Sequence, residues 1–563
     1  MHLRTKRIGP HPYLYAVDTS WNGGHPTVSF QTYMGRADTL FGTHATPLVR
    51  TFHFGAAAVL LQLAREFQLI PIIDEVVGGG HHPSVGEHLC LAALNWAVGD
   101  PCSKRTFADW YEQSSLKRLV PVPSSQLSSQ HFWDAMSRVD AAACQTIFQR
   151  VAQNALRFLA IKDQVVAFDT TNFFTYVASD NPQPELPQRG HSKAKRHDLR
   201  QVGLALAVTQ RDQLPLFHEV YAGNRNDATS FGALFPQLLQ ELGDFGQGPL
   251  TWVYDGGNVS ARAQQKVEAK VERGALDCVT SVSPSYYPDL LAIPQEEMMA
   301  IDPTSYPELA GFRVQATTRR RWRREVQLVM SYSPELARGQ LHGVLQHRGE
   351  ATPRLTQLQA ALARRNAHSR GRKPTIVSVQ RRVERICSTQ HLRRLLPTQV
   401  VEEDGQVRLH FSVDEEHLAH LQQHLFGRRL WVTTHTDWEP AEVVRVAHQQ
   451  ASVEACFRQL HDPDHVAWQP MWHWTDQKIR VHGLYCLLAL LLVQALRVLA
   501  RRAGENRSMD AVLRDLDAVE ECLVVPRLTH PDERPHLEIS LSVLNPVQRR
   551  LLGLVGLQPA AAL

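Results

Sequence analysis

Three acids in this chain have the residue type and the setting needed to hold a hard metal ion. The runs QVVAFD (164–169) and PLTWVYD (249–255) are short, apolar and rich in β-branched or aromatic residues, and each ends in a carboxylate, Asp169 or Asp255. Glu454 lies inside EVVRVAHQQASVEACFRQL (442–460), whose apolar residues recur at three-to-four spacing. Mg²⁺ takes one or two carboxylates and completes its shell with water and phosphate oxygens. A pair of such ions can activate an attacking oxygen and stabilise a leaving one. Two acids on strand ends and a third on a helix is the arrangement that chemistry needs, and open sheets tend to place their chemistry at strand carboxyl ends. An Asp after an apolar strand is also a common turn cap, so the three acids alone leave a structural role open.

The elements that must position them follow from the texture of the chain. Residues 27 to about 55 alternate polar and apolar and predict short strands or loops. From Ala56 to about Ala160 the apolar spacing becomes helical, with Ser84 and Glu87 placed as a capping box. This gives a mainly helical region over 1–160, read as either a DNA-binding domain or a scaffold. From Gln164 strands and helices alternate: QVGLALAVTQ and PLFHEVYAG pair around Arg211–Asp212, SFGALFPQLLQELG and SARAQQKVEAKVERG form helices stopped by Gly243 and Gly274, and CVTSVSPS is a strand. Residues 161–284 and 431–503 therefore read as two parts of one α/β domain. Residues 285–430, with GFRVQATT, REVQLVMSYS and a long helix from Pro334 to about Asn366, read as a mixed β/α insertion. Residues 504–563 read as a helical tail. The stretch Leu484–Leu499 is apolar enough to suggest a membrane but short and interrupted by Gln494, which favours a buried core helix.

The motifs around the acids narrow the choice. FDTTNFFTY, RGHSKAKRHDLRQVGLALAV, PLFHEVYAGNRNDATSF and VYDGGNVS, in that order, closely resemble the catalytic region of DDE insertion-sequence transposases. VEACFRQLHDPDHVAWQPMWHWTDQKIRVHGLYCLLALLL resembles that family's segment around its third acid. The likeness is to the insertion-sequence-four superfamily, in the branch with a large insertion before the final Glu. IPIIDEVVGGG and SVGEHLCLAALNWAV resemble its helical amino-terminal domain. The resemblance implies an RNase H-like core with Asp169 on the central strand, Asp255 on the fourth strand and Glu454 on a helix, together catalytic and metal-binding. Asp255 follows Asp169 by 86 residues and Glu454 follows Asp255 by 199, so an insertion must fill the second gap. It further implies Mg²⁺, with Mn²⁺ able to substitute, double-stranded DNA partners (terminal inverted repeats and a target), a homodimer in the DNA complex, and a bacterial, cytoplasmic protein associated with the nucleoid when bound to DNA. The reaction implied frees a 3′-hydroxyl at an element end and joins it to target DNA.

The chain departs from the family at three places. Relatives often carry Tyr seven residues before the Glu, Arg four before it and Lys seven after it; here stand Ala447, Gln450 and His461. Arg458, one turn beyond Glu454, shares its face and suits a phosphate. These departures keep a second reading in play, a recruited transposase-derived DNA-binding protein, and a third, an RNase H-like nuclease that never joins strands.

Other expected DNA contacts are basic. Lys193, Lys195 and Arg196 lie in GHSKAKRHDLR just after the first acid. Arg319, Arg320, Arg321, Trp322, Arg323 and Arg324 form RRRWRR, where the arginines would hold phosphates and Trp322 would stack on an unpaired base; a charged strand edge is the plainer alternative. ARRNAHSRGRKP (363–374) is a basic linker or a segment lying on DNA. WQPMWHWTDQKIRVHG (468–483) reads as packing for the last long helix. Net charge is only +4, weak evidence for a polyanionic partner. Eight cysteines lie scattered without CxxC spacing, and the 28 histidines without the spaced partners of a zinc site, so disulfides and structural zinc are not expected. The amino terminus does not read as a signal peptide.

Overall fold

The computed structural model describes residues 1–563 except 23–24, 43, 81, 100, 163–164, 179, 191–195, 197, 226–249, 257–260, 275, 365–372, 449–450, 464–465, 470, 531 and 558–563. The chain divides into two units, one of Met1–Thr251, Val259–Lys266 and Gln449–Leu563, the other of Trp252–Asn258 and Val267–His448. Together they make the protein mixed α/β.

The first unit begins with strands. β1 (His2–Ile8), β2 (His11–Asn22) and β3 (His25–Arg36) form an antiparallel sheet in that order, followed by β4 (Leu48–His53). The mainly helical region expected over 1–160 thus opens with strands from His2, and its helices start at Gly55, where the apolar spacing changes. The early strands escape a periodicity search because HLRTKRI is nearly all polar and β1 is almost wholly exposed. Helices Gly55–Glu66, Leu69–Val77, Val85–Ala97, Ser129–Ser137 and Ala141–Phe158 then follow. The capping box forms as the sequence predicts: Ser84 Oγ accepts from Glu87 N at 3.0 Å, and the Glu87 carboxylate accepts from Ser84 N at 2.7 Å. β5 (Val165–Thr175), β6 (Arg200–Thr209) and β7 (Pro215–Ala222) pair antiparallel, with the β6–β7 hairpin closing around Arg211–Asp212. β8 (Leu250–Tyr254) is the other neighbour of β5, so the order here is β8–β5–β6–β7 and β5 is internal. The helix expected from SFGALFPQLLQELG lies outside the described residues.

The second unit carries five further strands, ordered β10–β11–β12–β15–β9. Its strands are β9 (Leu276–Val282), β10 (Met299–Ala300), β11 (Arg313–Arg321), β12 (Arg324–Tyr332) and β15 (Arg428–Thr433), and β13 (Thr398–Glu403) pairs with β14 (Gln406–Phe411) as a separate ribbon. β15 returns after about a hundred residues to pair with both β12 and β9. The long helix Pro334–Ala363 contains Pro353 and buries Ala351, Leu355, Leu358 and Leu362 against Val379, Val383 and Leu409. Helix Pro440–His448 closes the unit.

The chain then re-enters the first unit with the helix Ala451–His461 and the core helix Asp476–Arg502. The core helix is buried without interruption from Leu484 to Leu496, Gln494 included. It is long and apolar enough to span a membrane, yet 89% of its most apolar window is already covered by the protein. A helix apolar on all sides is what such a central position requires. Helix Met509–Asp517, β16 (Glu520–Val525), β17 (Glu538–Leu541) and helix Pro546–Gly553 complete the unit. Residues 504–563, expected as a helical tail, thus include two strands: β16 lies between β17 and β4, tying the end of the chain to its beginning.

Candidate active site

Side chains alternate faces along a strand, so Ala167, Asp169, Thr171 and Phe173 share one face of β5. Ala167 and Phe173 are fully buried in the same core as Val453, Cys456, Phe457 and Leu460, the apolar stripe of the Ala451–His461 helix. Thr171 Oγ1 lies 3.4 Å from His461 Nε2, and the Phe173 ring stacks on the His461 ring at 4.3 Å. The helix expected to carry the third acid therefore packs on the face of β5 that carries the first. Cys456 fixes its direction, because Sγ contacts Gln213 O at 3.5 Å and Gln210 N donates to Val165 O at the start of β5. Helix and strand run the same way. Asp169 is partly exposed, while Glu454 and Arg458 are exposed beside the buried stripe.

The end of that helix is held by stacked rings. Phe173 lies parallel to Trp468 at 4.8 Å as well as to His461, and Trp468 N donates to Leu460 O at 2.7 Å. Trp468 is fully buried. His482, on the core helix, donates from Nε2 to Trp468 O at 2.8 Å and accepts at Nδ1 from Tyr485 OH at 2.5 Å. Burial, with the nearby Lys104 charge, pushes the His482 pKa down to about 3, so the ring is neutral. Of the 468–483 segment, Trp468 and Met471 are core, whereas Trp472 and Trp474 are exposed, with Trp472 stacked on Tyr176 at 4.8 Å.

Asp255 stands in the second unit, immediately after β8. Its Oδ1 accepts from Ser281 Oγ at 2.5 Å, and Ser281 Oγ accepts from Gly256 N at 3.2 Å. A Cβ on Gly256 would come within 2.2 Å of Ser281 O, so only glycine lets the turn sit this close to β9. Ser281 is a residue that sequence reading missed: a serine in CVTSVSPS carries no signal until the strands are paired.

The expected DNA contacts divide. Lys193 and Lys195 lie outside the described residues, as do Gln450 and the middle of the 363–374 segment. Arg196 pairs with Asp198 at 2.9 Å, holding that carboxyl down at about 2, and its guanidinium covers the Phe174 ring. In RRRWRR, Arg321 faces Arg324 across β11 and β12, and Trp322 and Arg323 form the two-residue turn, both at positive φ. Arg319 is paired with Asp289, Arg321 donates to Tyr287 OH and Arg324 pairs with Asp277. Arg320 and Arg323 are exposed. Trp322 is 8% exposed beneath the Arg321 guanidinium, so in this conformation its ring is not presented to a base. His461, expected to meet phosphate, has its ring on β5. Ala447 is buried on helix Pro440–His448. Among the described residues, no three His, Cys, Asp or Glu side chains form a group that could hold a metal ion, and no two cysteines form a disulfide.

No family model and no curated protein matches this chain. Among solved structures, a piggyBac transposase synaptic complex with hairpin DNA, determined by cryo-EM, matches 82% of this chain and 79% of its own at 9% identity, with a TM-score of 0.39. A likeness that distant assigns no function.

Proposed function

We propose that the chain is a DNA transposase with an RNase H-like core, whose carboxylates Asp169, Asp255 and Glu454 hold Mg²⁺, or Mn²⁺ in its place, for cleavage of element ends and strand transfer of a 3′-hydroxyl. The observation that carries this reading is the register of the Ala451–His461 helix on β5. Glu454 precedes His461 by seven residues, two turns, and so projects from nearly the same side of the helix. Two turns rise about 10 Å, equivalent to roughly three residues of strand. Because helix and strand run the same way, counting back three residues from the His461 contacts at Thr171 and Phe173 brings Glu454 level with Asp169. Counted from β5, the strand preceding Asp255 is the fourth, and β5 is internal in its sheet; both agree with the RNase H-like expectation.

The donor set suits a hard dication, which would polarise the phosphate oxygens and lower the pKa of a bound water. The chain's own contributions are to fix the acids: Ser281 orients the Asp255 carboxylate, and the His461–Phe173–Trp468 stack holds the end of the helix that bears Glu454. Asp169 and Glu454 belong to the first unit and Asp255 to the second, and the reading requires the three carboxylates to meet on the cation. Double-stranded DNA, as element ends and target, is the partner, engaged as a homodimer through Arg320, Arg323, Arg458 and the basic 190–200 segment; a bacterial cytoplasmic setting goes with it.

Purified protein incubated with end-bearing DNA and Mg²⁺ or Mn²⁺ is expected to nick that DNA, and Asp169→Ala or Glu454→Gln to abolish nicking while most DNA binding remains. Intact binding without nicking at any metal concentration defeats the proposal. That outcome favours the second reading, a recruited DNA-binding protein, which the residues Ala447, Gln450 and His461 support. Nicking without joining of pre-cut ends would leave a nuclease.

A further inference from the structure

A cavity of about 540 Å³ opens in the first unit, between the Ala451–His461 helix, the second half of the core helix and the turn that starts helix Met509–Asp517. Four guanidiniums line it, those of Arg458, Arg497, Arg501 and Arg507. Arg507 is already paired, with Glu505 at 3.0 Å and Asp515 at 2.9 Å. The other three have no carboxylate within ion-pair distance among the described residues. Among the described residues, Arg497 donates to the amide oxygens of Gln213 and Gln494, with the Asp212 carboxylate acting on it from farther away. Burial and the adjacent charge of Arg501 lower its pKa below the usual arginine value. Two neighbouring cations, one half-buried and hydrogen-bonded to amide oxygens, form a site that a bound anion would relieve. Asp462, Glu505 and Asp510 share the lining, three carboxylates against four guanidiniums, so the cations exceed the acids by one.

The remaining wall is apolar: Val466, Val493, Met509 and Leu513. Ser508 caps helix Met509–Asp517 through Ala511 N at 3.3 Å, so the positive end of that helix also borders the cavity. The volume falls in the range of small-ligand pockets and is larger than one phosphate needs. Cations on one side and a greasy wall on the other suit a molecule with both a phosphate chain and a flat ring.

We propose that this cavity binds a nucleoside polyphosphate, with its phosphates on Arg458, Arg497 and Arg501 and its base against Val466, Val493 and Leu513. Arg458 lies one turn beyond Glu454, so the ligand would bear directly on the helix that presents the candidate third acid. The cavity and its arginines do not depend on the transposase reading.

Calorimetric titration of the full chain in metal-free, EDTA-containing buffer tests the proposal with ATP, adenosine and pyrophosphate. ATP is expected to bind, adenosine and pyrophosphate to bind at least about tenfold more weakly, and Arg501→Ala to cost ATP about tenfold, the scale of one lost charge-assisted hydrogen bond. Arg501 is exposed, and an unchanged circular dichroism spectrum confirms that the variant is folded. Absence of ATP binding at roughly millimolar concentration overturns the proposal. So does ATP affinity unchanged in both Arg501→Ala and Arg497→Gln, which would put the nucleotide elsewhere. Pyrophosphate binding as tightly as ATP would make the cavity a notch for backbone phosphates and equally overturn a nucleotide site.

Discussion

Lowering the pH should destabilise the first unit through His482. Its two ring nitrogens are committed in opposite senses: Nε2 donates to Trp468 O, and Nδ1 accepts from Tyr485 OH. Protonation would set an N–H against the tyrosine hydroxyl and place a charge in a fully buried site beside Lys104. The folded pKa is about 3, against an ordinary value of 6.5. Between these values the unfolded chain binds a proton that the folded chain refuses, so this contribution to stability is complete above about pH 6.5 and lost as pH falls toward 3. At pH 5 the loss is about 1.5 units at 1.36 kcal/mol each, or about 2 kcal/mol. His218, also buried and pushed down to about 3, adds a similar amount.

The variant that isolates the effect is His482→Gln, whose amide can donate to one partner and accept from the other but does not titrate. Urea unfolding followed by tryptophan emission reads the right place, since the rings of Trp96 and Trp468 lie about 6 Å from His482. The substitution is expected to cost about 1 kcal/mol at pH 7.5 and to flatten the decline toward pH 5 by about 2 kcal/mol relative to wild type. Parallel stability curves for the two proteins from pH 7.5 to 5 would refute the reasoning.

Three further substitutions probe the same framework. Gly483→Ala places a Cβ 2.4 Å from the Trp468 ring, and with a rigid indole unable to yield it should cost about 1–3 kcal/mol, read as a lower urea midpoint. Lys104→Met replaces a buried amine whose polar contacts are Tyr485 OH at 3.1 Å and His473 Nε2 at 3.3 Å; burial lowers its pKa to about 8, and the variant should match or exceed wild-type melting temperature. Ser281→Ala removes the hydroxyl that orients Asp255 and should slow metal-dependent nicking by about ten- to hundredfold, with DNA affinity within about twofold. A loss of binding in step with nicking would mean that Ser281 serves the fold alone.

Legibility in the sequence followed the range of the interactions. The β6–β7 hairpin, the Ser84–Glu87 capping box, helix Ala261–Glu272 and the core helix were readable because neighbours a few residues apart make them. β1 and β4 were not. β4 pairs with β16, more than four hundred and sixty residues away, and no local pattern encodes that partner. The helical reading of Pro440–His461 holds over Pro440–His448 and Ala451–His461, the described parts of that stretch, which fall in different units; an apolar stripe running through both gives no local sign of that division. At the candidate site, the residue types and the elements bearing Asp169 and Glu454 were readable. The roles of Ser281 and His482 were not, because each acts through a partner brought by tertiary packing.

The link from stability to chemistry runs through one column of rings. His482 holds the Trp468 carbonyl, Trp468 stacks on Phe173, and Phe173 stacks on His461 at the end of the helix that carries Glu454. Phe173 belongs to β5, the strand that carries Asp169. A proton on His482 therefore strains the contacts that set the helix register on β5 before it unfolds the unit. If that register aligns the two acids, metal-dependent nicking should fall at a higher pH than global unfolding does, and His482→Gln should bring the two transitions together. Nicking that declines only where the protein unfolds, in both wild type and variant, would separate the ring column from the acids and leave it a purely structural support.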